Sequence, residues 1–97
     1  MAAFEWNEEK NKKLKEQRGV CFNDAVEAFN SQKVLLIAQN PAKRYPHQKI
    51  AVLDIDNYAY VVPYIQVSKD KIFLKTVIPS RKFTKKYITA KKHNENK

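Results

Sequence analysis

Four side chains in this sequence invite chemistry: Lys49, Tyr64, Lys75 and Arg81. Lysine and arginine neutralise phosphate oxygens, and arginine can grip two of them at once. A tyrosine among cations can stack on a base or pass a proton. Gathered in one place, these groups would suit cleavage of a phosphodiester whose own 2′-hydroxyl is the nucleophile. The protein then has to orient that hydroxyl, move a proton and stabilise extra charge on phosphorus. Clustered lysines lower each other's pKa toward the range of a base. No competing catalytic set stands out. There is no Ser/His/Asp order, no glycine-rich phosphate loop and no metal-ligand spacing. No metal or other cofactor is expected.

The remaining reactive types read as structural. His47 lies in a proline-bounded loop and His93 near the end of the chain, and both are expected on the surface. Asp54 and Asp56 flank a turn, which explains them. Cys21 is the only cysteine, so no internal disulfide forms, and its apolar neighbours Val20 and Phe22 make it a small core filler. A reducing cytoplasm is the expected compartment. The opening "MAAFEWNEEKNKK" becomes charged too soon for a secretory leader, and no apolar run reaches membrane-spanning length.

The elements that must position the four side chains follow from pattern. "AFEW" reads as a short strand. Asn7 caps a helix running to about Arg18, with Glu8 and Glu9 in its first turn, Leu14 as its apolar anchor and Gly19 as a left-handed stop. A second helix spans about 22–31, where Phe22, Ala25, Val26 and Phe29 form one stripe. Then come strands: "KVLLIAQ", "KIAVLDI", "YAYVVPYIQV" and "KIFLKTVI". A loop with Pro41 and Pro46 joins the first two, and Asp56-Asn57 and Lys69-Asp70 are two-residue turns. Pro79 ends the last strand, and Ser80 caps a final helix docked by Phe83 and Tyr87. The expected fold class is α+β: a small single domain over residues 1–92, with an N-terminal strand, two helices, an antiparallel meander and a C-terminal helix. Residues 93–97 form a polar, basic tail.

Two tight turns fix a register. With both turns two residues long, Lys49 faces Tyr64 and Tyr64 faces Lys75, one row across the sheet. Tyr58, Tyr60 and Phe73 would share that face, with Arg81 just past its edge. Ile50, Val52, Val61, Ile65, Ile72, Leu74 and Ile78 would line the opposite face as the core. Interleaved cations and rings are what single-stranded nucleic acid requires, because cations meet phosphates and ring faces meet bases. The charge agrees. The net charge is +9. Residues 1–68 carry nine Lys/Arg against eight Asp/Glu, and residues 69–97 carry ten against two. Such a field favours a polyanion; the last segment lacks the apolar face a membrane would need. Arg81 in the first turn of a helix is poorly placed for stability and well placed for phosphate.

The opening "FEWNEEKNKKLKEQRGVCFNDAVEAF" resembles the start of the BrnT-type ribonuclease toxins, roughly "FEWDxxKxxxNxxKHGVxFEEAxxVF". "QKIAVL", "YVVPY" and "IPSRKFTKKY" fall in the order of that family's "ERxxxxG", "LxVVYT" and "ISARxAxxxExxxY". The resemblance covers about 80 residues of the chain. It implies a RelE-like α+β ribonuclease, the toxin of a type II toxin–antitoxin system. It also implies a cognate antitoxin, usually of ribbon-helix-helix type, with operator DNA reached only through that antitoxin. By position, Lys49 stands on the family's "ER" arginine, Tyr64 on the "VVYT" tyrosine and Arg81 on the "ISAR" arginine. Arg18 replaces the histidine of "KHG", and Gln48 the glutamate of "ER". A further family cation falls on Thr76, with Lys75 beside it. The expected catalytic set is Lys49, Tyr64, Lys75 and Arg81. Arg18, Tyr60, Phe73, Lys82, Lys85 and Lys86 are expected to bind RNA. An acidic amphipathic segment of the antitoxin would cover them. Two other readings are a non-enzymatic module that binds an antitoxin as co-repressor, and a plain RNA-binding domain.

Overall fold

In the computed structural model, which describes residues 3–40 and 47–89, a short strand leads directly into two helices. Strand β1 is Ala3–Glu5, helix α1 Glu8–Arg18 and helix α2 Phe22–Asn30. The strands β2 (Val34–Gln39), β3 (Gln48–Ile55), β4 (Tyr58–Ser68), β5 (Lys71–Leu74) and β6 (Ile78–Pro79) follow. Helix α3, Arg81–Phe83, continues as a π-helical segment, Thr84–Thr89. The class is α+β. Residues 41–46, His93 and the tail 93–97 lie outside the described residues.

Local chemistry explains the helix ends. The Asn7 side chain accepts from the Lys10 N–H, and Gly19 closes α1 at φ 70°, where a Cβ would be strained. The Cys21 N–H donates to the Asp24 carboxylate at the start of α2, and Cys21 is buried and free as a thiol. Buried Asn11 ties the two helices together. Its amide donates to Glu8 and Asn23, and its oxygen accepts from the Phe22 N–H at 2.7 Å. Every hydrogen-bonding end of that side chain is used, so its burial carries no unpaired group.

The sheet order is β1-β5-β4-β3-β2, with β6 pairing β4 off this path. β1 runs parallel to β5, and the other pairs are antiparallel, so the sheet is mixed. The Asp56-Asn57 turn is two residues long, both at positive φ, and Ile55 pairs with Tyr58 as its length dictates. The Asn57 N–H donates to Asp54, so that carboxylate shapes the turn. Lys49 pairs with Tyr64 as expected.

The row stops there. A bulge between Gln66 and Ser68 leaves Val67 unmatched, and the register slips by one: Tyr64 faces Leu74 instead of Lys75. Because strand side chains alternate, that slip sends Phe73 and Lys75 out of the face that carries the tyrosines. Ile72 and Leu74 take their places. The tyrosine face is also the main core. Leu14, Val20, Phe22, Ala25 and Ala28 pack on Ala51, Leu53, Val62, Tyr64 and Leu74. The face expected to hold the core instead carries a smaller cluster of Val52, Ala59 and Ile88, flanked by Leu35, Leu36, Val61 and Phe83.

The last strand also differs from the expectation of one run over "KIFLKTVI". It breaks after Leu74, and Ile78–Pro79 re-pair with Tyr60 and Val61 as β6. The final helix is α-helical for three residues only. In a π-turn the residue five places on comes round to the same side, so Ile88 joins Phe83 against the sheet. Tyr87 instead stacks on Phe83, centroids 5.9 Å apart. Buried Thr84 holds this segment down. Its hydroxyl accepts from the Ala59 N–H at 2.8 Å and donates to the Ser80 carbonyl at 2.7 Å.

Candidate functional site

The four expected catalytic side chains are not gathered. Lys49 is exposed at the start of β3. Tyr64 opposite it is buried, with Phe29 edge-on at 6.3 Å. Burial pushes its phenol pKa up, and a buried ring cannot stack on a base. Lys75 lies beyond β5, its N–H bonded to the Pro63 carbonyl at 2.8 Å. Arg81 follows Ser80, whose N–H bonds to Ala59. Four residues of β4 separate Ala59 from Pro63, roughly 14 Å of strand. Arg81 is exposed in the first helical turn, as expected. The α-helical stretch there has three residues, too few for an anion site to be built on its terminus.

A different arrangement of cations is present, along the sheet edge instead of across the strands. Residues 75–81 run antiparallel to β4, from Lys75 opposite Pro63 to Arg81 beyond Ala59. Helix α1 lies alongside this segment. At its far end the Arg18 guanidinium donates to the Val77 carbonyl at 2.6 Å. At its near end Lys10 and Lys13 border a cleft with Lys75. Eight residues of helix part Lys10 from Arg18, about 12 Å, so α1 brings cations to two points of the same edge, beside Lys75 and at Val77. Lys82, Lys85 and Lys86 continue past Arg81, all exposed. The Lys86 ammonium sits 5.4 Å from the Tyr87 ring centroid.

The cleft is the best-formed part of this rim. Asn7, Glu9, Lys10, Lys13, Phe73 and Lys75 line about 490 Å³ of open space. Its origin is the shortness of β1. Glu5 pairs with Phe73, and β1 ends there. The chain then lifts at Trp6 and Asn7 into α1, leaving a gap between the first turns of the helix and the end of β5. The Trp6 ring stacks on Phe22 at 5.8 Å, and its indole N–H donates to Glu8, which fixes that lift. Phe73 is half-buried, and the Lys75 ammonium lies 5.4 Å from its ring centroid. Lys10 and Lys13 were not among the expected site residues. Their i, i+3 spacing places them on one face of α1, but only the register of β5 shows what that face meets.

Tyr60 lies in other company. It packs edge-on with Tyr58 at 5.7 Å. Its pKa is raised, first by burial and then by the charges of Asp56, Tyr58 and Asp24. Asp24 and Asp56, with Glu27 and Asp54, also line a smaller hollow of about 110 Å³ between α2 and the end of β3. Phosphate is repelled there, so Tyr60 does not belong with the cationic rim. Among the described residues no group of three or more His, Cys, Asp or Glu is placed to hold a metal ion, and no helix is long and apolar enough to cross a membrane.

Compared with protein-family models, the chain matches none. A search of curated proteins likewise gives no match.

Proposed function

We propose that this protein is an endoribonuclease of the toxin type, cleaving RNA without a metal through attack by the substrate's 2′-hydroxyl. The reading rests on the convergence of Lys10 and Lys13 from α1 with Lys75 around the half-exposed ring of Phe73. A strand of RNA laid from this cleft along β6 meets Lys75, then Arg18, then Arg81, Lys82, Lys85 and Lys86. Cations along the path neutralise successive phosphates. Arg81 is the group to hold the non-bridging oxygens of the reacting phosphate by a two-pronged contact, and Lys75, farther along the rim, holds another phosphate of the same strand as a point charge. The toxin would act in the cytoplasm. A cognate antitoxin, of ribbon-helix-helix type and carrying an acidic amphipathic segment, would cover the rim, and operator DNA would be reached only through it. The resemblance of the sequence to the BrnT-type toxins, which implies a RelE-like fold, supports this reading.

The test is direct. Purified protein incubated with single-stranded RNA in EDTA should release fragments ending in a 2′,3′-cyclic phosphate, and expression should arrest growth. Arg81→Ala should lose most cleavage and keep the fold, and Arg81→Lys should recover part. One observation favours a second reading: Lys49, Tyr64, Lys75 and Arg81 are dispersed, which suits binding without cleavage. Tight RNA or antitoxin binding with intact RNA after long incubation would establish a non-enzymatic module and overturn the nuclease.

A further inference from the structure

The cleft sets an aromatic ring among cations from two elements, α1 and the segment after β5. Its floor is an aromatic ring already covered by a cation from the residue just beyond its strand. Phe73 is half-buried while Leu74 beside it is fully buried, so the ring is presented where a packed residue would be hidden. The Lys75 ammonium is parked over that ring at 5.4 Å, and Lys10 and Lys13 stand across the gap. We propose that the cleft is a subsite for one unpaired nucleotide: its base takes the ring face that Lys75 now covers, and its phosphate draws Lys75 toward Lys10 and Lys13. This rests on the RNA-binding reading and adds what kind of RNA it takes.

Three physical points carry it. First, a surface cation–π contact is weak, whereas a base stacked on an aromatic side chain is held more strongly, so a base can displace the ammonium. The displaced ammonium then meets a phosphate that it could not hold while parked. Second, the space fits. About 490 Å³ lies within the range of pockets that take a small organic ligand. Third, the chemistry of the lining is divided. Three lysines suit the phosphate, and Phe73 suits the base. Glu9, the one carboxylate in the lining, opposes a phosphate, so the base end of the nucleotide lies against it. A base inside a duplex has both faces covered and cannot reach the ring. The subsite therefore selects single strands, loops or ends.

The experiment compares affinities of the full chain for two labelled, 2′-O-methylated oligonucleotides, which cannot be cleaved. One is single-stranded, and the other carries the same sequence in a duplex. Phe73→Leu keeps an apolar side chain in the sheet and removes the stacking face; Phe73→Tyr restores it. The expected result is that Phe73→Leu lowers the ratio of single-strand to duplex affinity about tenfold, and that Phe73→Tyr returns it to the parent value. Replacing Lys10, Lys13 and Lys75 together by Gln should weaken both ligands. An unchanged ratio in Phe73→Leu, with the lysine variant weakened for both ligands, overturns the subsite and leaves the basic rim standing. A lysine variant that binds both ligands as the parent does overturns the RNA-binding reading itself. Should Phe73→Leu fail to fold, a Phe73→Tyr protein with a reduced ratio overturns the subsite equally.

Discussion

Two hollows border the same pair of helices, and they are opposites. The cleft at the start of α1 is wide and lined by three lysines, one carboxylate and a ring. The hollow under α2 is small and lined by Asp24, Glu27, Asp54 and Asp56 with Lys33. Both lie where a helix face meets the end of a strand. On β4, Tyr58 marks the level of the hollow and Tyr64 that of the cleft. Six residues separate them, roughly 20 Å of strand. A net charge of +9 therefore does not describe this surface. At a Debye length of about 8 Å in physiological salt, a phosphate at one hollow does not feel the other. What matters is which cations share a groove with an aromatic ring, and of these two hollows the cleft at α1 has that combination.

The largest expected effect removes the support common to both. Phe22 opens α2, is fully buried and stacks on Trp6, the residue that lifts the chain into α1. Phe22→Ala should cost about 3–5 kcal/mol. In urea titrations the midpoint should fall sharply, and probes in the two hollows should lose signal together. A transition in which the α1 cleft survives the melting of the α2 hollow would show that the two regions are held independently.

Next comes Thr84, which anchors the far end of the cationic rim. Thr84→Val keeps the shape and deletes the hydroxyl, leaving the buried Ala59 N–H without its partner. The expected loss is about 1–3 kcal/mol, read by thermal or urea unfolding. A value near zero would mean that the π-helical segment is not held by this contact.

The third prediction separates the hollows by charge. Lys10, Lys13 and Lys75 changed together to Gln should flatten the dependence of log affinity on log salt by about 2, from roughly 0.7 per phosphate contact on a single strand. Asp24→Asn should leave that slope at the parent value. Equal slopes in all three proteins would mean that the charge acts diffusely, and the contrast between the hollows would lose its functional meaning.

The sequence carried the elements well because they depend on local rules. The Asn7 cap, the Gly19 stop, the α2 stripe, the Asp56-Asn57 turn and the break at Pro79 are all set by neighbours in the chain. The Lys49–Tyr64 pairing followed from one of those turns. The site was less legible. A single bulged residue, Val67, moved Lys75 and Phe73 to the other side, and nothing in "YIQVSKDKIF" marks it. The alternative core was hidden for a related reason. β3 and β4 are apolar on both faces, so the pattern does not say which one the helices cover. Arg18 and Phe73 were expected among the RNA-binding residues, but their relation to Lys10, Lys13 and Val77 is a matter of tertiary packing.

The smallest effect is the most specific test of the acidic side. Tyr60 and Tyr64 both have raised pKa values, for different reasons. Burial alone raises Tyr64. Burial also comes first for Tyr60, with Asp56, Tyr58 and Asp24 adding to it. A raised phenol pKa means that folding favours the neutral form. Above pH of about 10 the unfolded chain loses those protons first. Stability from the two phenols is therefore complete below that pH and falls as pH rises through the higher values of the folded state. Asp56 stands at positive φ, a conformation that Asn tolerates, so Asp56→Asn alters the charge with little strain. In a phenolate absorbance titration, Tyr60 of this variant should ionise at lower pH than in the parent while staying above the ordinary value, because burial remains. Tyr64 should not move. The variant should also lose less stability on the alkaline side. A Tyr60 titration unaltered by Asp56→Asn would detach this ring from the field of the hollow. The reason for excluding it from the phosphate-binding rim would then go with it.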